Sequence, residues 1–146
     1  MTSIIESFPQ LAVYQTAFLA LAILCVIVMV QNFLTAPLAF LKNEQAPGMP
    51  LKGDHSLMSF RVLRTHSNSV ESMPSFGFAL LVAIIAGVGA SVVNWLAVIY
   101  VFFRMAYWAV YYSGTGKVAG GARTMMIVGG LMANLVLAGA ALFALI

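Results

Sequence analysis

The sequence predicts an all-α integral membrane protein, a bundle of four membrane-spanning helices in one domain covering residues 1–146. Of the 146 residues, 62% are hydrophobic and only 8% are charged. An ordinary soluble domain has about 45–50% apolar and about 25% charged residues. The apolar residues form four long stretches separated by polar or glycine-rich segments. Because so few polar groups cannot cover a water-soluble globule of this size, that class is excluded.

The first helix is predicted over residues 9–41. No charged residue occurs between Glu6 and Lys42, and residues 11–30 are almost purely aliphatic. At 1.5 Å per residue, such a stretch crosses a hydrocarbon layer of roughly 30 Å. The segment before it contains Glu6 but no Lys or Arg. We therefore expect a retained span and not a cleaved signal peptide.

Three more helices are predicted over residues 57–87, 94–113 and 122–146. A polar, irregular stretch over residues 42–56 predicts the longest loop, and glycines predict a tight second turn and a flexible third loop. The fourth helix is rich in glycine and alanine, whose small side chains let helices approach closely. That composition fits two alternatives, association with another subunit and packing within one subunit.

The distribution of basic residues predicts the orientation in the membrane. With four spans, the first and third loops share one side, and both termini share the other. Four basic residues flank the spans on the loop side, and none flanks them on the side of the termini: Lys42, Lys52, Lys117 and Arg123. Because cytoplasmic loops carry an excess of Lys and Arg, we expect the termini to face away from the cytoplasm.

The second predicted helix has an unusual polar face. At 100° per residue, Arg61, Arg64, Asn68 and Glu71 fall within an arc of roughly 80°. Ionisable groups in a membrane helix are costly and mark function by default. One interpretation is a polar niche for a charged, zwitterionic small molecule, and the other is a buried network that fixes helix packing. His66 lies off this face, where a structural or headgroup role is expected.

The third predicted helix contributes a second polar face. Tyr100, Arg104, Tyr107 and Tyr111 are spaced by three or four residues, so they share one side of the helix. Arg104 is deep enough in the membrane to require a carboxylate partner. Glu71 is the only carboxylate in the apolar region, so a structural pair between these two residues competes with a ligand role for Glu71.

Several functions are disfavoured by the composition. The two histidines have no neighbouring cysteine or paired carboxylate, so no metal site is expected. No basic run supports nucleic-acid binding. The lone Cys25 allows no intrachain disulfide. A small four-helix exporter would need a carboxylate in the first span, and none is present.

Taken together, these residues resemble the MAPEG family, the membrane-associated proteins of eicosanoid and glutathione metabolism. The resemblance covers essentially the whole chain in span number and loop pattern. Its motifs are Arg61-x-x-Arg64-x-His66-x-Asn68-x-x-Glu71-x-x-Pro74, then Arg104-x-x-Tyr107-x-x-x-Tyr111, then Arg123-Thr124. The resemblance implies a homotrimer, with glutathione sites between subunits near the cytoplasmic face and an apolar electrophile that enters from the bilayer. A microsomal glutathione transferase-like protein of bacterial type is expected.

The resemblance also implies individual roles. Arg123 matches the arginine that holds the glutathione sulfur as thiolate, and Thr124 offers a hydroxyl beside it. A fixed cation and a hydroxyl donor lower a thiol pKa from its usual value near 8.5. The remaining matches are glutathione contacts: Arg64, Asn68, Glu71, Tyr107 and Tyr111. Arg61 matches an arginine with either a structural or a glutathione-contact role. Lys117 is an alternative to Arg123 for the cation role, because the third loop is longer and richer in glycine than in the mammalian enzymes.

The resemblance therefore predicts an enzyme that uses glutathione as cosubstrate, without a metal. The expected activity is glutathione transfer to, or peroxide reduction of, lipophilic electrophiles; prostaglandin E synthase-like isomerase activity is a further possibility within the family. The alternative is a non-catalytic lipid-binding or scaffold member. Ser67, Gln31 and Asn32 motivate that alternative, because several family members have basic residues at these places.

Overall fold

Four long helices dominate the part of the chain that the structure describes. The computed structural model describes residues 8–117 and 120–146. The helices are α1, Gln15–Thr35; α2, Met58–Ile85; α3, Ala90–Ser113; and α4, Ala122–Leu145. The described residues contain no strand, and all four helices are long and apolar enough to cross a membrane. The predicted all-α, multi-pass membrane fold is confirmed.

The side chain of Asn94 bridges a break just before α1. A single helical turn, Pro9–Ala12, precedes the break. Asn94 Oδ1 accepts a hydrogen bond from the N–H of Ala17 at 3.0 Å, and its Nδ2 donates to the carbonyl of Val13 at 2.8 Å. In a continuous helix these two backbone groups would bond to each other. The amide of Asn94 therefore stands in for the missing backbone bond, a common cause of helix bending.

Helix α3 begins earlier than predicted, and Asn94 lies within it, with its side chain bonded to the backbone at the start of α1. We expected α3 to start near Asn94, on the assumption that this residue belongs to the turn. The helix instead starts at Ala90, directly after Gly89. Gly87 has a φ of 76°, a region that favours glycine, so the turn is completed within a few residues.

The far end of α1 continues as a π-helical turn, Ala36–Phe40. The N–H of Leu41 bonds to the carbonyl of Ala36 at 2.9 Å, five residues back. Pro37 lies in this turn and has no N–H to donate, so one α-helical bond is missing and the turn widens.

The central pair of helices is α2 and α3, and each of α1 and α4 packs against both. Phe76 and Tyr100 stack across α2 and α3, with ring centroids 3.9 Å apart. Ala17 on α1 and Ala97 on α3 are fully buried, and their small side chains let the helices approach closely. Because successive helices alternate in direction, the starts of α2 and α4 and the end of α3 meet at one end of the bundle.

Large apolar side chains cover the outside of the bundle. Four aromatic residues are each more than two-thirds exposed: Phe33, Phe78, Trp95 and Phe143. A soluble domain would bury such groups, whereas lipid chains or a second subunit cover them in a membrane.

Candidate functional site

A cavity of about 270 Å³ lies at the end of the bundle where α2 and α4 begin and α3 ends. Its wall consists of His55, Arg64, Asn68, Tyr107, Tyr111, Arg123, Thr124 and Ile127. Six of these eight residues were predicted as site residues. Residues from three helices that are distant in sequence therefore meet at one place. A larger groove of about 450 Å³ lies between α1 and α2. The described residues in its wall are apolar, and none of them is charged.

Arg123 is the most constrained cation of the cavity. It lies in the first turn of α4 and its side chain is only 4% exposed. Nη2 donates to the carbonyls of Gly114 and Thr115, both at 3.3 Å, and the guanidinium carbon lies 5.0 Å from the centroid of the Tyr111 ring. Nε and Nη1 have no hydrogen-bond partner among the described residues. A buried cation at the positive end of a helix dipole strongly favours an anion beside it.

Thr124 is exposed and follows Arg123 in the same turn. Its Oγ1 accepts a hydrogen bond from the N–H of Gly120 at 3.1 Å. The hydroxyl hydrogen is not used by that bond, so Thr124 keeps a donor for a ligand. Lys117, the alternative cation, is exposed and does not line the cavity. Position and burial therefore both favour Arg123 over Lys117.

Arg104 orients Asn68 from behind the cavity wall. Arg104 is 5% exposed; its Nη1 donates to Asn68 Oδ1 at 2.8 Å and its Nη2 to Ser69 Oγ at 3.1 Å. Because a guanidinium only donates, the oxygen of the Asn68 amide must face Arg104. The amide nitrogen is then left to donate to a ligand. The alternative pair between Arg104 and Glu71 does not form.

Glu71 and Arg61 were predicted in the same site, but neither side chain lines the cavity. Glu71 is exposed on α2 and forms no ion pair among the described residues. Arg61 turns toward the preceding loop, where Nη1 donates to the carbonyls of His55 at 2.9 Å and Ser56 at 2.8 Å. Arg61 therefore holds this loop against α2.

The sequence prediction missed His55 and Ile127. His55 Nε2 lies 2.6 Å from the hydroxyl oxygen of Tyr111, and its ring also contacts the ring of Phe60, with centroids 5.0 Å apart. Burial, and next the charge of Arg123, lower the pKa of His55 below its usual value. His55 lies in an irregular loop without periodicity, so only its identity as one of two histidines marked it in the sequence.

The cavity is electropositive. Arg64 and Arg123 line it, Arg104 lies behind it, and none of the described residues that line it is acidic. Within the described part of the chain, no group of three or more His, Cys, Asp or Glu side chains could hold a metal ion. The arrangement therefore suits an anionic organic ligand with hydrogen-bond acceptors.

Comparison with known families agrees with this description. The sequence profile of the MAPEG family matches residues 11–143, nearly the whole chain. The chain belongs to the MAPEG family. Comparison with curated proteins found no match. As a MAPEG protein, the chain belongs with membrane proteins of eicosanoid and glutathione metabolism, a group that includes glutathione transferases.

Proposed function

We propose that this MAPEG protein binds glutathione in the cavity, holds its sulfur as thiolate and transfers it to lipophilic electrophiles. The observation that carries the proposal is the environment of Arg123. The residue is 4% exposed, lies at a helix start and on the cavity wall, and has two guanidinium nitrogens without a partner among the described residues. A thiolate placed there gains Coulomb energy that a neutral thiol does not. Thr124 donates a hydrogen bond to the same sulfur.

The other cavity residues match the polar groups of glutathione. Arg64 pairs with a carboxylate, since arginine binds carboxylates through two parallel hydrogen bonds. The Asn68 amide nitrogen donates to a peptide carbonyl, and the hydroxyls of Tyr107 and Tyr111 bind along the same wall. Arg61 supports the site by fixing the loop that contains His55.

The reaction requires no covalent intermediate with the protein. The thiolate attacks an electrophilic carbon of a lipophilic molecule, a carbon–sulfur bond forms and the leaving group departs. With a lipid hydroperoxide, the same thiolate would attack oxygen and reduce the peroxide. The electrophile enters from the bilayer, because the outer faces of the helices are apolar.

The proposal includes a homotrimer with the glutathione sites between subunits. Glu71 is an exposed carboxylate on a membrane-length helix, without an ion pair among the described residues. Such a group is costly in lipid, so a ligand ammonium or another subunit is expected to cover it. Val70 and Pro74, on the same helix, line the apolar groove of about 450 Å³. A neighbouring subunit in this groove would bring the Glu71 carboxylate into a shared site.

We also propose that the cavity faces the cytoplasm and the termini the opposite side. The described loop residues Lys42, Lys52 and Lys117 are exposed at the cavity end of the bundle. The positive-inside rule then assigns this end to the cytoplasm.

The test is ultraviolet difference absorbance of the detergent-purified protein titrated with glutathione. The wild type is expected to show a saturable thiolate band at neutral pH, and Arg123→Ala to lose it. Arg123→Lys keeps a charge and is expected to retain part of it. Lys117→Ala is the matched control, since it removes an exposed cation from the neighbouring loop and should leave the band unchanged.

Two outcomes would overturn the proposal. Glutathione that binds without a thiolate band in the wild type would exclude the transferase mechanism. A wild type that binds no glutathione would favour the alternative, a non-catalytic lipid-binding or scaffold member.

A further inference from the structure

The contact between His55 and Tyr111 supplies the cavity with a proton acceptor. The Tyr111 hydroxyl oxygen lies 2.6 Å from Nε2 of His55, within hydrogen-bond distance. In the imidazole tautomer with its proton on Nδ1, Tyr111 is the donor and Nε2 of His55 the acceptor. Both side chains line the cavity that contains Arg123. His55 is held from three sides, by the Tyr111 hydroxyl, the Phe60 ring and the bond from Arg61 to its carbonyl.

The charges around His55 favour its neutral form. Arg61 and Arg64 face it from α2, Arg123 from α4 and Tyr111 from α3. Among the described residues, Asp54, its neighbour in the loop, is the acid that opposes the three arginines. Burial and these arginines lower the pKa of His55, and the effect of burial is the largest. A neutral imidazole keeps the lone pair that accepts the Tyr111 hydroxyl hydrogen.

The proposed thiolate needs such an acceptor. Arg123 stabilises a thiolate once it has formed, but a guanidinium does not accept a proton. The same is true of Arg64. Among the described residues that line the cavity, His55 is the one side chain whose ordinary pKa, near 6.5, makes it a base at neutral pH. Arg123 would therefore set the equilibrium between thiol and thiolate, whereas His55 would set the rate at which that equilibrium is reached.

We propose that Tyr111 and His55 form the path by which the thiol proton leaves the site, an inference that rests on the proposed glutathione function. The S–H bond of glutathione breaks and sulfur keeps the electron pair. The proton bonds to the Tyr111 oxygen while the hydroxyl's own proton passes to Nε2 of His55. The resulting imidazolium releases its proton to water, since His55 lies in the loop outside the membrane-spanning helices. Tyr111 returns to its starting form.

The experiment measures the rate of thiolate formation by stopped-flow ultraviolet absorbance after mixing the detergent-purified protein with saturating glutathione. His55→Gln is expected to slow the appearance of the band by at least about tenfold, because positioned proton transfer contributes about 10²–10⁴-fold. The final amplitude is expected to stay close to that of the wild type. Tyr111→Phe should slow it similarly, and the double variant should be no slower than either single one.

The other histidine provides the matched control. His66 lies on α2 and does not line the cavity, so His66→Gln should keep the wild-type rate. In His55→Ala, added imidazole should restore part of the rate. A merely structural role for His55 would not be rescued in this way.

The outcomes separate this inference from the function on which it rests. A thiolate that forms at the wild-type rate in His55→Gln overturns the inference alone. Loss of glutathione binding in His55→Gln, without imidazole rescue in His55→Ala, also overturns it and makes His55 a binding residue. A wild type that forms no thiolate overturns the proposed function and this inference together.

Discussion

The bridge made by Asn94 predicts a pH-dependent loss of stability in Asn94→Asp. The replacement has nearly the same shape, and its carboxylate can still accept the hydrogen bond from Ala17. It cannot donate to Val13, so the 2.8 Å bond from Nδ2 is lost and two oxygens face each other. This bond is solvent-exposed, and the loss of a typical hydrogen bond costs about 0.5–1.5 kcal/mol. At neutral pH the free energy of unfolding should fall by that amount.

The pH dependence distinguishes the lost donor from a general disturbance. A protonated carboxyl group has an O–H that can donate to Val13. The stability of Asn94→Asp relative to the wild type should therefore recover as the pH falls and decrease again as it rises. For a chain of this size, about 0.5–1.5 kcal/mol corresponds to a decrease in Tm of roughly 1–6 °C.

The assay is thermal unfolding in detergent, followed by circular dichroism at neutral and acidic pH. Asn43→Asp is the matched control, because Asn43 is exposed in the first loop and its side chain forms no hydrogen bond among the described residues. Equal Tm values for the two variants at neutral pH would refute the reasoning. So would a loss in Asn94→Asp that is independent of pH.

Two further predictions concern the cavity. In Arg104→Lys the charge remains, but the side chain can reach only one of the two acceptors, Asn68 and Ser69. Calorimetric titration should then show glutathione binding weakened about tenfold, or about 1.4 kcal/mol. An unchanged Kd would show that Asn68 needs no support from Arg104. Because the pKa of His55 is lowered in the folded protein, the unfolded chain binds a proton at this residue at a higher pH than the folded one does. The contribution of His55 to the free energy of unfolding should therefore be fully present above about pH 6.5 and be lost as the pH falls below it. Unfolding midpoints from about pH 5 to pH 7.5 should show a slope that His55→Gln reduces, and an equal slope in both proteins would contradict the assignment.

The fold was predictable from the sequence because membrane spans depend on local composition. Twenty or so apolar residues in a row form a helix in lipid whatever their neighbours are, since no water is present to satisfy the backbone. The polar faces of α2 and α3 followed from helical periodicity in the same way. The boundaries were less accurate, because Asn94 is satisfied by α1, which lies some eighty residues away in sequence.

The residues of the site fall into two groups, those on regular helices and those in an irregular loop. Arg64, Asn68, Tyr107 and Tyr111 could be found from spacing alone, because each repeats on one face of a regular helix. His55 could not, because an irregular loop has no period that predicts where its side chains lie.

By itself, then, the sequence determined the membrane class, the four spans and the polar faces of α2 and α3, all of which are properties of contiguous residues. Only the tertiary structure decided which charges meet. Arg104 bonds to Asn68 and not to Glu71, Arg61 bonds to the loop before α2, and His55 contacts Tyr111. Each of these contacts depends on the rotation and depth of one element of the bundle relative to another. Side-chain packing across helices sets both, and no local pattern encodes them.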